Sequence, residues 1–218
     1  MTGASARVAR LSVLARLQMG LEALYRVETR LAIDAFIVGA AVRDQMATAR
    51  APREQLLLRE EAGELEMALF VDAAVVANLE RHDPAARLDD RNFTDFCLAV
   101  EGVSHFIYVA LRAADDRGVS QLELELQAEV DKFACCLLVA GGDPDLRRRL
   151  YGDVRFADDL DDEERARYRA ANTHASRYAG ALERRYVRDD RTEALLAELR
   201  RFYRMDLPEK LGHIARLA

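Results

Sequence analysis

The chain has 218 residues, of which 50% are hydrophobic and 32% charged, and a formal net charge of −6 at pH 7. This balance is that of a folded globular protein and excludes a disordered chain, which carries far fewer apolar residues. No stretch approaches the roughly 18–20 uncharged apolar residues of a membrane span; the best run, residues 35–42, stops at Arg43-Asp44.

Taken in chain order, residues 5–25 predict a helix. Val8, Leu11, Leu14, Leu17, Leu21 and Leu24 recur at steps of three and four and define one face. Arg16 interrupts the apolar region that a signal peptide would need after Arg7 and Arg10, so a cytoplasmic location is expected, of bacterial type. Residues 27–38 fit either a strand or a continued helix, because partial alternation gives way to β-branched and aromatic residues. A short helix is expected over residues 39–48, followed by a loop around Pro52.

Residues 55–59 and 64–71 read as two strands joined by Glu60-Glu61-Ala62-Gly63. Leu65, Met67, Leu69 and Val71 alternate with Glu66, Ala68 and Phe70, as in a half-buried strand. Asp72 stands where a helix N-cap belongs, ahead of a helix over residues 73–81 that ends at Asp83-Pro84.

From Asp90 onward every segment predicts helix. Residues 93–114 carry a stripe of Phe93, Phe96, Cys97, Val100, Val103, Ile107, Ala110 and Ala114, and Arg117-Gly118 is the turn. Ser120 and Glu123 have the spacing of a capping box, in which the hydroxyl accepts from the Glu123 amide and the carboxylate reaches back. The next helix runs to Ala140 and is stopped by Gly141-Gly142. Asp143-Pro144 then opens a short helix. The acidic run 158–162 favours the start of a long helix over residues 163–188. A last helix, or a pair broken at Leu207-Pro208, closes the chain. The fold class is mainly α, a helical bundle with a small β-hairpin in the N-terminal third (α+β). It is organised as a single domain with subregions at residues 1–85 and 86–218.

Cys97, Cys135 and Cys136 form no even framework and no CxxC pair, and they lie in apolar helical stretches where a free thiol acts as a small hydrophobe. His174 and His213 have no ligand-spaced neighbours, and His82, beside Asp83-Pro84, reads as loop. The phosphate-loop, dinucleotide, serine-hydrolase and HExxH motifs are absent, which weighs against an enzyme.

Two constellations carry chemistry. Glu101, His105, Tyr108 and Arg112 share one stripe of a helix that is otherwise apolar nearly all round. An antiparallel hairpin turning near Gly118 sets His105 level with Glu129 and Val130, and Arg112 level with Glu123. Glu101, His105, Glu125 and Glu129 are therefore candidate metal ligands, with Glu101, His105 and Glu129 the candidates for acid–base catalysis, since carboxylate and imidazole donors projecting into a bundle hold divalent ions. The spacing departs from the Glu-x-x-His of di-iron bundles, and a buried ion-pair network accounts for the same residues. No cofactor is expected from the sequence, a divalent metal being the alternative.

The second constellation is basic. Residues 165–204 carry eleven arginines against five acids, a net of +6, whereas residues 1–164 have a net of −12. Arg177, Arg184, Arg185 and Arg188 could contact nucleic-acid phosphates. Tyr168, Tyr178 and Tyr186, however, fall on the packed stripe with Ala171, Ala175 and Leu182. The reading favoured by these features is a non-enzymatic interaction or regulatory protein that associates with itself, as a homodimer, or with another protein. A nucleic-acid-binding protein and a metal-dependent helical-bundle enzyme are the alternatives.

Overall fold

Phe93–Ala114 organises the whole molecule, because a helix apolar on every side must be surrounded. A computed structural model describes residues 11–46, 52–61, 63–141, 143–152, 154 and 160–217. The predicted helical positions 5–10 and 47–48, Gly142, Asp158 and Asp159 lie outside the described residues. The elements are α1 (Val13–Tyr25), β1 (Ile37–Val38), α2 (Ala40–Met46), β2 (Glu54–Glu61), β3 (Glu64–Val71), α3 (Ala73–Arg81), α4 (Phe93–Ala114), α5 (Gln121–Ala140), α6 (Leu146–Tyr151), α7 (Asp162–Leu182), α8 (Thr192–Arg204) and α9 (Leu207–Leu217). The protein is thus mainly α with a small sheet.

Helix α4 packs against α1, α3, α5 and both long strands. It is long and apolar enough to cross a membrane, but Phe96, Val100, Val103, Phe106 and Ile107 are each at most 2% exposed because protein covers them. Its antiparallel partner α5 packs in turn on α7. One apolar cluster extends from Val13 to Ile214 and draws on residues on both sides of position 85.

The sheet has strand order β1-β3-β2. β2 and β3 form the antiparallel hairpin, with Leu56 opposite Leu69 and Glu61 opposite Glu64, and Gly63 takes the left-handed conformation its turn requires (φ +83°). β1 adds in parallel, with Ile37 opposite Leu69. The expected alternation along β3 holds only in part. Leu65 is exposed, whereas Leu69, Phe70 and Val71 are all buried, because only the end of the hairpin nearest α4 reaches the core.

Residues 27–38 form neither a long strand nor a continued helix. α1 stops at Tyr25, where Arg26 turns left-handed (φ 52°). Side chains of α1 then satisfy the loop backbone directly. Gln18 donates to the Leu31 carbonyl at 2.6 Å and accepts from the Ile33 amide at 3.0 Å, and Glu22 accepts from the Thr29 amide at 3.1 Å. A backbone with such partners needs no ladder. The segment closes with a single 3₁₀ turn, Ile33–Ala35, and the two residues of β1.

Helix ends follow the sequence with three exceptions. Ser12 caps α1, and Asp72 caps α3 as expected. Ser120 accepts from the Glu123 amide at 3.2 Å, but the Glu123 carboxylate is drawn into the core by Tyr108 and Arg112 instead of reaching back. Reciprocal capping boxes occur at Asp161/Glu164 and at Asp206/Glu209. The long helix expected to reach position 188 is α-helical only to Leu182 and ends in a π turn, Glu183–Val187. The final break falls at Met205-Asp206, and Pro208 sits in the first turn of α9, where its missing N–H leaves no partner wanting.

Part of the arginine excess is structural. Arg200 and Arg204 of α8 donate to the carbonyls of Leu24 and Tyr25 at 2.7 and 3.1 Å, which closes the C-terminal end of α1.

Candidate metal centre

The stripe predicted as one unit on α4 is divided by the structure into two neighbouring clusters. Tyr108 and Arg112 join a closed network. The Tyr108 hydroxyl donates to Glu123 at 2.6 Å and accepts from Arg112 and, at 2.8 Å, from Lys210. Arg112 also reaches Glu123 at 3.1 Å, as the hairpin register predicts, and the Met205 carbonyl at 2.9 Å. Lys210 continues to Gln127 at 2.8 Å, and Gln127 to Asp131 at 2.7 Å. Ser104 and Tyr25 also donate to Asp131. Burial pushes the Asp131 carboxyl up to about 6, against the pull of Ser104, Tyr25 and Gln127, and pushes Lys210 down to about 7.

Glu101 and His105 belong to the other cluster. His105 Nδ1 lies 3.7 Å from Glu54 at the start of β2, and Nε2 lies 3.7 Å from Glu125 on α5. Both distances exceed hydrogen-bond reach. The His105 Nε2 and Glu54 Oε1 atoms are buried without a hydrogen-bond partner among the described residues. One donor atom from each of Glu101, His105 and Glu125 lies within 4.8 Å of the other two. The expected level pairing of His105 with Glu129 is not what forms. Glu129 instead accepts from Lys132 at 2.7 Å, and Lys132 also donates to Glu101 at 3.1 Å.

Four carboxylates therefore share an interior with one imidazole and one ammonium, and the electrostatics register the excess of negative charge. Burial raises Glu54 and Glu129, and it takes Glu125 up to about 7. Burial works to lower His105, but the surrounding Glu54, Glu125 and Glu101 overrule it and carry the imidazole up to about 9. Glu101 is held low despite burial by Lys132 and His105. Tyr168 on α7 stands close enough that burial and the charges of Glu125, Glu101 and Glu54 raise its phenol. The cluster is not sealed, since the side chains of Glu101 and Glu125 are 20% and 12% exposed.

Gly102 makes the fourth carboxylate possible. A Cβ there would stand 2.8 Å from Glu54 Cγ and 3.0 Å from its Oε1, so only glycine admits Glu54 to the helix surface. Glu54, Lys132 and Tyr168 are absent from the sequence-derived candidates, though two signals point toward them. A glycine inside a buried helix costs about 1 kcal/mol in propensity and marks a close approach. The chain also holds only two lysines, Lys132 and Lys210, amid thirty arginines, and both are interior.

Donors that share a zinc ion at about 2.0–2.2 Å stand roughly 3.4 Å apart, so the three side chains must close by about 1 Å to hold one, which glutamate rotamers allow. Imidazole with carboxylates suits zinc, manganese or iron. The cysteines do not take part. Burial raises Cys135, and a hydrogen bond to Cys97 together with burial raises Cys136, so both stay thiols.

The basic constellation takes another form. Arg177, Arg184, Arg185 and Arg188 are exposed toward the C-terminal end of α7 and its π turn. Tyr178 is buried and stacked on Phe202 with ring centroids 4.1 Å apart, and its hydroxyl donates to Glu198 at 3.1 Å, where His213 also bonds at 2.5 Å. That tyrosine offers no platform to a base. No family model, curated protein or solved structure matches the chain.

Proposed function

We propose that the protein binds a divalent transition-metal ion between Glu101, His105 and Glu125, with Glu54 against the other ring nitrogen of His105, and that this ion is its functional centre in the manner of a metal-dependent helical-bundle enzyme. The observation that carries the reading is the buried Nε2 of His105, which makes no hydrogen bond among the described residues and stands beside the carboxylates of Glu101 and Glu125. A buried polar atom without a partner is rare in a structural network and common where a ligand is to be held. Glu101 and His105, four apart on one helix, present their donors to one ion, and a second helix supplies Glu125. The partly exposed rim leaves a coordination position for water or substrate, which is the mark of a Lewis-acid site rather than a closed structural one. Protein purified without chelator is expected to carry close to one equivalent of zinc, manganese or iron by elemental analysis, and His105→Ala to carry almost none. Failure of the native protein to retain or to take up any of these ions at micromolar concentration would sink the reading.

A protein-interaction reading is favoured by a different observation. Leu138 and Val139 are 49% and 38% exposed and line an apolar cleft of about 230 Å³ with Leu17, Leu21 and Phe96. Apolar surface of this kind supports self-association as a homodimer. Light scattering across a hundredfold range of concentration tests it, with Leu138→Asp expected to shift any dimer to monomer. Nucleic-acid binding through Arg177, Arg184, Arg185 and Arg188 is supported by their exposure alone. It calls for salt-sensitive RNA or DNA binding that Arg184→Ala with Arg185→Ala abolishes.

A further inference from the structure

We infer that the Lys132 ammonium is a built-in second cation of this centre and fixes its capacity at one metal ion; the inference rests on the metal reading above. The Lys132 Nζ lies 2.7 Å from a Glu129 oxygen and 3.1 Å from Glu101 Oε2, so it joins carboxylates of two different helices. Glu101 also contributes a donor to the cluster with His105 and Glu125. It therefore lies between two positive positions, as a carboxylate does when it bridges a pair of metal ions. Glu101 and Glu129 together make a donor pair that could receive a second ion if the ammonium were removed.

The charges argue the same way. Glu54, Glu101, Glu125 and Glu129, if all ionised, exceed what one divalent ion can neutralise, and a fixed ammonium offsets part of the remainder. The chain meets it with a lysine, although it uses arginine nearly everywhere else. A compact ammonium fits between two carboxylates where a planar guanidinium does not. Lys132 is thus a positioning residue that holds Glu101 and Glu129 and decides metal stoichiometry, without touching the bound ion.

Cobalt(II) titration, followed by calorimetry and by its visible absorption, tests this on the intact chain. Wild type is expected to bind one ion. Lys132→Ala is expected to bind two, and the second is lost when Glu129→Gln is added. A Lys132→Ala protein that binds one ion or none overturns the inference. If that variant does not fold, Glu129→Gln in the wild-type background decides. Affinity for the single ion should stay within about threefold, and a hundredfold loss would make Glu129 a ligand of the first ion and remove the separate second position. A wild type that binds no cobalt defeats the metal reading itself, an outcome distinct from either of these.

Discussion

Two polar clusters run side by side along the same pair of helices and obey opposite rules. In the one built from Tyr25, Ser104, Tyr108, Arg112, Glu123, Gln127, Asp131 and Lys210, no buried polar atom lacks a partner among the described residues. In the one built from Glu54, Glu101, His105 and Glu125, two buried atoms lack one and like charges crowd together. The closed network fastens α9 and α1 to the central hairpin and is what stability demands of buried polar groups. The open cluster has no such architectural return, and two buried atoms without hydrogen bonds beside crowded like charges mark it as the candidate ligand site.

The contrast should be plainest in stability. Asp131→Ala leaves the donors of Tyr25, Ser104 and Gln127 without their acceptor and should destabilise the protein by about 3–5 kcal/mol in urea unfolding. A change near zero would mean that the closed network is not what holds the hairpin.

Lys210 adds a pH dependence of defined sign. Its folded pKa, about 7, is below its unfolded value near 10.4. Between those pH values the unfolded chain binds the proton and the folded one does not, so stability from this group rises with pH from about 7 and levels off near 10. The difference in stability between wild type and Lys210→Met should therefore shift by up to about 5 kcal/mol across that window. A flat difference would show that Lys210 stays charged when buried.

The open cluster should respond in the reverse sense. Glu125→Gln removes one of several crowded carboxylates and, in chelator, should leave stability unchanged or raise it by about 1 kcal/mol. The same change should weaken metal binding at least tenfold, measured by cobalt titration. A loss of several kcal/mol would instead make the cluster another structural network. The smallest effect is expected from Gly102→Ala. The gain in helix propensity, about 1 kcal/mol, offsets the displacement of Glu54, so the thermal midpoint should hardly move while metal affinity falls severalfold.

Features decided within a few residues are legible in the sequence. Phe93–Ala114 and Ala73–Arg81 stand where periodicity and the Asp72 cap place them, because a buried apolar stripe and a side-chain cap are local. The buried stripe of Ala171, Ala175, Tyr178 and Leu182 on α7 is equally readable, though Tyr168 and Tyr186 are only half-buried, as is the pairing of Arg112 with Glu123. Features that escape it depend on distant partners. The loop after α1 is set by Gln18 and Glu22, and the Glu123 carboxylate leaves its capping role for Tyr108.

The sequence by itself determined a helical chain with a small hairpin, the central helix and the presence of Glu101, His105, Glu125 and Glu129 along facing helices. Tertiary structure decided which of them meet. It brought Glu54 from a strand nearly fifty residues upstream through the gap left by Gly102, turned His105 to Glu125, and gave Glu129 to Lys132. Helical spacing fixes the face on which a side chain stands. The partner it finds depends on rotamers and on the packing of a third element, and a single sequence encodes those only through the whole fold.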